Sequence, residues 1–84
     1  MWKKWKRKKY NRDAGLIFEG EYLKGKKHGK GKEYDDCSIV QFEGEYLNGK
    51  RNGKGKEYGY GCELLFEDEY INGYTKEVYY NNKL

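Results

Sequence analysis

The stretch GKRNGKG, Gly49 to Gly55, carries the ingredients of a phosphate cradle: glycines that bring backbone amides close to a ligand and cations that attract one. A nucleotide loop of that kind needs Gly-x-x-x-x-Gly-Lys and then Ser or Thr, set between a strand and a helix. This stretch is one residue short and has Gly55 where the magnesium-binding hydroxyl belongs. It also lies in a segment of strand periodicity, so it is not read as a nucleotide site. Nucleophilic catalysis lacks its parts as well. Ser38 and Thr75 are the only aliphatic hydroxyls and His28 the only imidazole, with no Ser-His-acid or Cys-His grouping. Two cysteines, Cys37 and Cys62, make no zinc framework. The residues therefore predict no catalytic site, no metal, no cofactor and no small-molecule substrate.

A second chemistry is written at the N-terminus. Trp2, Lys3, Lys4, Trp5, Lys6, Arg7, Lys8 and Lys9 combine cations that attract phosphate with rings that stack on bases or sit at a headgroup interface. Residues 1–12 carry seven cations and no acid, whereas the remaining 11 basic and 14 acidic residues sum to −3. The net charge of +4 is thus an N-terminal patch. This segment predicts contact with a polyanion, RNA or an anionic membrane surface. No apolar run reaches the length of a signal-peptide core or a membrane span, and the chain reads as cytoplasmic.

What positions these residues is a repeat. Shifted by 24 positions, Phe18 to Asp35 falls on Phe42 to Gly59 with 14 identities in 18. A third copy begins at Phe66 and decays after Gly73, and the basic N-terminus aligns as the second half of a degenerate first copy. The chain divides into a basic half-repeat over 1–14, repeats over 15–38 and 39–62, and a degenerate C-terminal copy over 63–84. Together these predict one small repeat domain with caps at both ends. Twelve glycines, no proline and 18% aromatics suit short strands and tight turns.

Each copy reads as a β-hairpin. Phe42, Gly44 and Tyr46 alternate with Glu43 and Glu45, and Asn48-Gly49 supplies the two positive φ values of a type I′ turn. Lys24-Gly25 and Asn72-Gly73 are the equivalent turns. Carried outward without interruption, this register sets Phe42 against Gly55 and Gly44 against Gly53. Across the junction, with a four-residue loop at Asp35 to Ser38, it sets Gly31 against Phe42. The predicted fold is all-β, a single-layer antiparallel β-meander of consecutive hairpins.

Its rows would run Phe18, Gly31, Phe42, Gly55, Phe66, Tyr79 on one face, beside a trough of glycines and a row of Tyr22, Lys27, Tyr46, Arg51 and Tyr70. The other face would carry Lys6, Glu19, Lys30, Glu43, Lys54 and Glu67, each charge beside opposite ones. The two cysteines would lie about 9–10 Å apart, two strand spacings, too far for an unstrained disulfide, and both read as reduced.

The residues now carry a family resemblance. Phe18, Gly20, Tyr22, Gly25, Gly29 and Gly31, and again Phe42, Gly44, Tyr46, Gly49, Gly53 and Gly55, resemble the membrane occupation and recognition nexus, or MORN, repeat. The likeness covers residues 15–82. It departs from the pattern at Trp5 and Arg7 and again at Asp68, Glu77 and Tyr79. It implies an elongated sheet of hairpins that binds other proteins or, in some members, phospholipid headgroups.

The expected function is a non-enzymatic module acting through protein–protein interaction, as adaptor or inhibitor. Phe18, Tyr22, Phe42, Tyr46, Arg51, Phe66 and Tyr70 are the expected contact surface, since Tyr and Arg make interface hot spots; a homodimer could cover the same rings. Repeats of this type are usually fused to other activities. A free-standing module of this size with a basic patch suggests as an alternative a phage-encoded inhibitor of host defence, similar to anti-CRISPR proteins. It would act in the host cytoplasm on an RNA-guided nuclease or its RNA. Anionic-lipid binding is a further alternative.

Overall fold

The computed structural model describes residues 3–81, so Trp2 and residues 82–84 lie outside the described residues. Strands β1 (Trp5–Tyr10), β2 (Leu16–Leu23), β3 (Lys26–Tyr34), β4 (Val40–Leu47), β5 (Lys50–Tyr58), β6 (Leu64–Ile71) and β7 (Tyr74–Thr75) precede helix α1 (Lys76–Asn81). All seven strands pair with their sequence neighbours in a single antiparallel sheet. This is the single-layer meander expected from the repeat.

The turns form where the sequence places them. Lys24, Asn48 and Asn72 hold φ near +50° and the glycine after each is also left-handed, the type I′ geometry whose twist suits a hairpin. Leu23 pairs with Lys26, Leu47 with Lys50 and Ile71 with Tyr74. At the junctions, Ala14, Ser38 and Cys62 are left-handed. Asn11 and Asp35 brace the first two loops through side-chain oxygens that accept amide hydrogens from two residues each.

Away from the turns the register departs from expectation. Tyr46 faces Arg51, but the next ladder pairs are Gly44 with Gly55, Glu43 with Lys56 and Phe42 with Glu57. β2 and β3 shift in the same way, to Gly20 with Gly31 and Phe18 with Glu33. Two extra residues are taken up on β3 and β5, where Gly29 (φ +87°) and Gly53 (φ +103°) adopt a conformation that side chains resist. The amides freed at these bulges are not orphaned. Glu21 Oε1 accepts from Lys30 N at 2.9 Å, and Glu45 Oε1 from Lys54 N at 2.8 Å.

The shift redraws the rows. Phe42 lies between Glu33 and Glu57 rather than between Gly31 and Gly55. The central glycines face one another across Gly20, Gly31, Gly44 and Gly55. The single charge row becomes two, Lys8-Glu19-Lys32-Glu43-Lys56-Glu67 and a second through Lys6-Glu21 and Lys30-Glu45 to Lys54-Glu69.

The rings then lie over the glycines diagonally. A Cβ on Gly55 would come within 2.6 Å of Phe42 Cε1 and 2.9 Å of Tyr70 Cε1, and one on Gly31 would meet Phe18 and Tyr46 similarly. Phe18, Phe42, Tyr46 and Tyr70, each at most 5% exposed, are the core. They meet edge to face, Phe18 with Tyr46 at 5.4 Å and Phe42 with Tyr70 at 5.3 Å, an arrangement worth about 0.5–1.5 kcal/mol per pair beyond area burial.

The third hairpin stops early. β7 has two residues, and the chain turns into α1 instead of continuing the ring row to Tyr79. Glu77 and Tyr79 stand where Gly53 and Gly55 stand one copy earlier. The first cannot easily make the left-handed bulge, and the second would set a Cβ against the Phe66 ring were that ring seated as Phe42 is.

Replacing Gly55 by Ala should cost about 1–3 kcal/mol by overpacking the Phe42 ring. Gly61→Ala, whose new Cβ meets only the movable Glu63 carboxylate, should be nearly neutral by urea denaturation.

Candidate functional site

The expected contact residues fall into two groups. Phe18, Phe42, Tyr46 and Tyr70 are interior, Tyr22 packs against them, and Arg51 is locked among them. The trough drawn from the sequence is therefore filled by its own rings. Phe66 alone of the seven remains exposed, at 41%.

Arg51 shows how the face is closed. Its guanidinium carbon lies 3.8 Å from the centre of the Phe42 ring and 5.5 Å from that of Tyr70. Nε and Nη2 each donate to the Glu33 carboxylate at 3.0 Å, and Nη1 donates to Glu57 Oε1 at 3.1 Å. The Tyr46 hydroxyl donates to Glu33 Oε2. Bidentate, charge-assisted bonds of this kind fix geometry as well as supply energy. One copy earlier Lys27 occupies the place of Arg51, with Nζ 4.1 Å from the Phe18 ring centre.

Charges respond to this packing. Burial lowers the pKa of Lys27, with Lys9 and Arg51 acting in the same direction and Glu33 against it. Burial disfavours the charged form of Glu33, yet hydrogen bonds from Arg51 and Tyr46 and the Arg51 and Lys27 charges prevail and hold its carboxyl below the ordinary range. The Tyr46 hydroxyl is pushed up by burial first and by Glu33 second. Tyr70 is pushed up to about 12, by burial and then by Glu57. Among the described residues its buried hydroxyl has no partner of hydrogen-bond geometry, while Glu57 accepts from Arg51. Thr75 stands where Lys27 and Arg51 stand in the earlier copies, so the third unit lacks a cation at that position.

Two surfaces remain open. On the charged face an open channel of about 1620 Å³ runs across the strands, walled by the two lysine–glutamate rows and floored by the glycine backbone. On the last two strands Leu64, Leu65 and Phe66 of β6 and Tyr74 of β7 are each exposed, Phe66 on the ring face beside Glu57 and Tyr74 at the other end of β6 beside Ile71. Apart from Phe66, these residues are absent from the contact surface expected on sequence. Their signal is nonetheless present: Leu65 replaces Gln41 of the preceding copy, and Glu77 and Tyr79 mark the loss of the strand that would have covered Phe66.

β1 is exposed along its whole length, so Trp5, Lys6, Arg7, Lys8 and Lys9 face solvent, with Lys3 and Lys4 preceding them. Lys8 pairs with Glu19 at 3.7 Å, and Lys8 rather than Lys6 faces that residue. Cys37 and Cys62 are exposed free thiols. Among the described residues no group of three or more His, Cys, Asp or Glu is placed to hold a metal ion, and no helix is long and apolar enough to cross a membrane.

The hairpin repeat and its ring-over-glycine packing define a class of repeat module. The MORN repeat family model matches residues 18–36 and 42–63, and the chain belongs to the MORN-repeat family. Repeats of this family generally mediate protein or lipid interactions and are generally non-catalytic. No curated protein and no solved structure matches the chain.

The Glu33 network predicts a pH dependence. A carboxyl whose pKa is depressed by folding stabilises the fold above its unfolded value, and that contribution is lost as pH falls through the folded value. Glu33→Gln should therefore cost about 1–3 kcal/mol at neutral pH and flatten the acid limb of a stability-against-pH curve from chemical denaturation.

Proposed function

We propose that this chain is a small non-enzymatic MORN module that acts by binding another protein, as an adaptor or an inhibitor, through the C-terminal end of its sheet. The observation that carries this reading is the exposure of Phe66, whose counterparts Phe18 and Phe42 are buried, with Leu64 and Leu65 exposed on the same strand. Large apolar side chains left open in this way suit a partner surface. The interior rings are already paired with one another and with Arg51, so they have little left to offer a partner. Phe66 is the anchor: its counterpart Phe42 is buried under Arg51 of its own copy and edge to face with Tyr70 of the next, and a partner side chain would supply the cover that Phe66 lacks.

A second reading rests on β1. Four consecutive cations, Lys6 to Lys9, stand on an exposed edge strand, an arrangement suited to RNA or an anionic headgroup surface. An inhibitor of an RNA-guided nuclease, working in the cytoplasm of a phage host, would use this strand. Lysines on an edge strand also hinder edge-to-edge aggregation, and that role needs no ligand.

The two readings separate by affinity capture from the native cell with and without nuclease. The protein-binding reading predicts a retained protein that survives nuclease and is lost from a Leu64→Ser, Phe66→Ser double variant of unchanged circular dichroism. Retention by that variant, or loss on nuclease treatment or on Lys6→Ala, Lys8→Ala substitution, would contradict it.

A further inference from the structure

The glycine row across the middle of the sheet is interrupted at its two ends by opposite charges. Gly20 faces Gly31, Gly31 faces Gly44 and Gly44 faces Gly55. On β1 the same row holds Arg7, and on β6 it holds Asp68. The neighbouring charges are opposed as well, Lys6 and Lys8 on β1 against Glu67 and Glu69 on β6.

Among the described residues both strands have a free edge. β1 pairs only with β2, and β7 occupies the outer side of β6 only at Tyr70 and Ile71, leaving Leu64 to Glu69 without a ladder partner there. α1 contacts β6, yet Leu64, Leu65, Phe66, Glu67 and Glu69 stay exposed and Asp68 is half-buried. From these placements we infer that the outer edge of β6 takes the β1 strand of a second copy of this chain, joining copies head to tail.

The register comes from the repeat. Positions 7, 31 and 55 are equivalent, as are 20, 44 and 68. Continuing the meander sets Asp68 against Arg7 of the second copy, Glu67 against its Lys8 and Glu69 against its Lys6. Three acids then meet three bases in adjacent ladder positions. β1 already makes this kind of pairing within its own chain, with Lys8 opposite Glu19 and Lys6 opposite Glu21. The joint differs from an internal hairpin in being unbulged. Thr75 already pairs with Tyr70, so the joint ends at Glu69 and Lys6 and does not reach Trp5, which stands at the position of the bulge glycines Gly29 and Gly53. Phe66 is exposed rather than seated over the strand as Phe42 is, which leaves room for the Asp68 and Arg7 side chains as a cross-strand pair.

Asp68 also guards the free edge. Its Oδ1 accepts the Glu69 amide at 2.7 Å, so the isolated chain offers one fewer unpaired group to chance partners. Arg7 of the second copy competes for that carboxylate and frees the amide for the ladder, which makes the joint selective for a strand carrying the right charge.

One β1 edge and one β6 edge per copy form a heterologous interface, which builds rings or open chains rather than two-fold dimers. The inference rests on the sheet edge and not on the exposed apolar side chains, so either can fail without the other.

Sedimentation across a wide range of protein concentration tests it. The wild type should grow beyond a dimer at low ionic strength and dissociate as salt screens the exposed pairs. Arg7→Asp alone and Asp68→Arg alone should each self-associate at least about 10-fold more weakly, because each sets like charges in opposition. An equimolar mixture of the two variants restores both complementary joints and should recover assembly, which also shows that both variants fold. A wild type that stays monomeric, variants that assemble as the wild type does, or a mixture no better than its components would overturn the inference.

Discussion

A ring lying flat over glycine takes the place of a second layer in this sheet. Fifteen aromatic residues in 84 are too few and too scattered to build a conventional two-layer core, and a single sheet buries little by itself. The solution is local. Each Phe covers glycines diagonal to it, each Tyr of the next copy closes edge to face on that Phe, and a cation from the same copy as the Phe seals it from above. Any Cβ in the glycine row would lift the ring, so the pattern of glycines is a steric condition for having a core at all. It also forces the left-handed bulges, which bring the Phe ring over Gly44 and Gly55 while the ladder sets it between two glutamates.

Because every unit borrows its cover from the following copy, the ends of the array are incomplete in a determined way. At the first end Lys9 stands where later copies have Glu33 and Glu57, so Lys27 has no acid on that side. At the other end Thr75 replaces the cation, the Tyr70 hydroxyl has no partner among the described residues, and Phe66 is exposed. Exposed rings in this array lie toward its ends, where the repeat is unfinished, and the middle copies are closed.

The sequence disclosed the fold more readily than the surface. The period, the strand–turn alternation and the Asn-Gly and Lys-Gly turns are local signals, and each is found at its expected place. The register away from the turns was not legible. Gly53 in a strand is equally compatible with a regular ladder and with a two-residue bulge, and only the Glu45 carboxylate capping the Lys54 amide decides between them. That shift moved Phe42 from a glycine row to a glutamate row, and four of the seven expected contact residues, Phe18, Phe42, Tyr46 and Tyr70, are interior. Glu77 and Tyr79 are recognisable in the sequence as departures from the repeat, but their effect is steric and depends on where a Cβ would meet the Phe66 ring. The polar chemistry of Arg51 was hidden for the same reason: its partner Glu33 is 18 positions away in sequence and neighbours it only through the shifted register.

The central claim is that the tyrosines of the ring face are interior, and nitration with peptide mass mapping tests it directly. Tyr60, at 90% exposure, should be modified readily in the folded chain, and Tyr74 with it, while Tyr46 and Tyr70 stay unmodified until denaturant is added. Nitration of Tyr46 at the rate of Tyr60 under native conditions would mean that the ring face is an open trough, and the claim would be wrong.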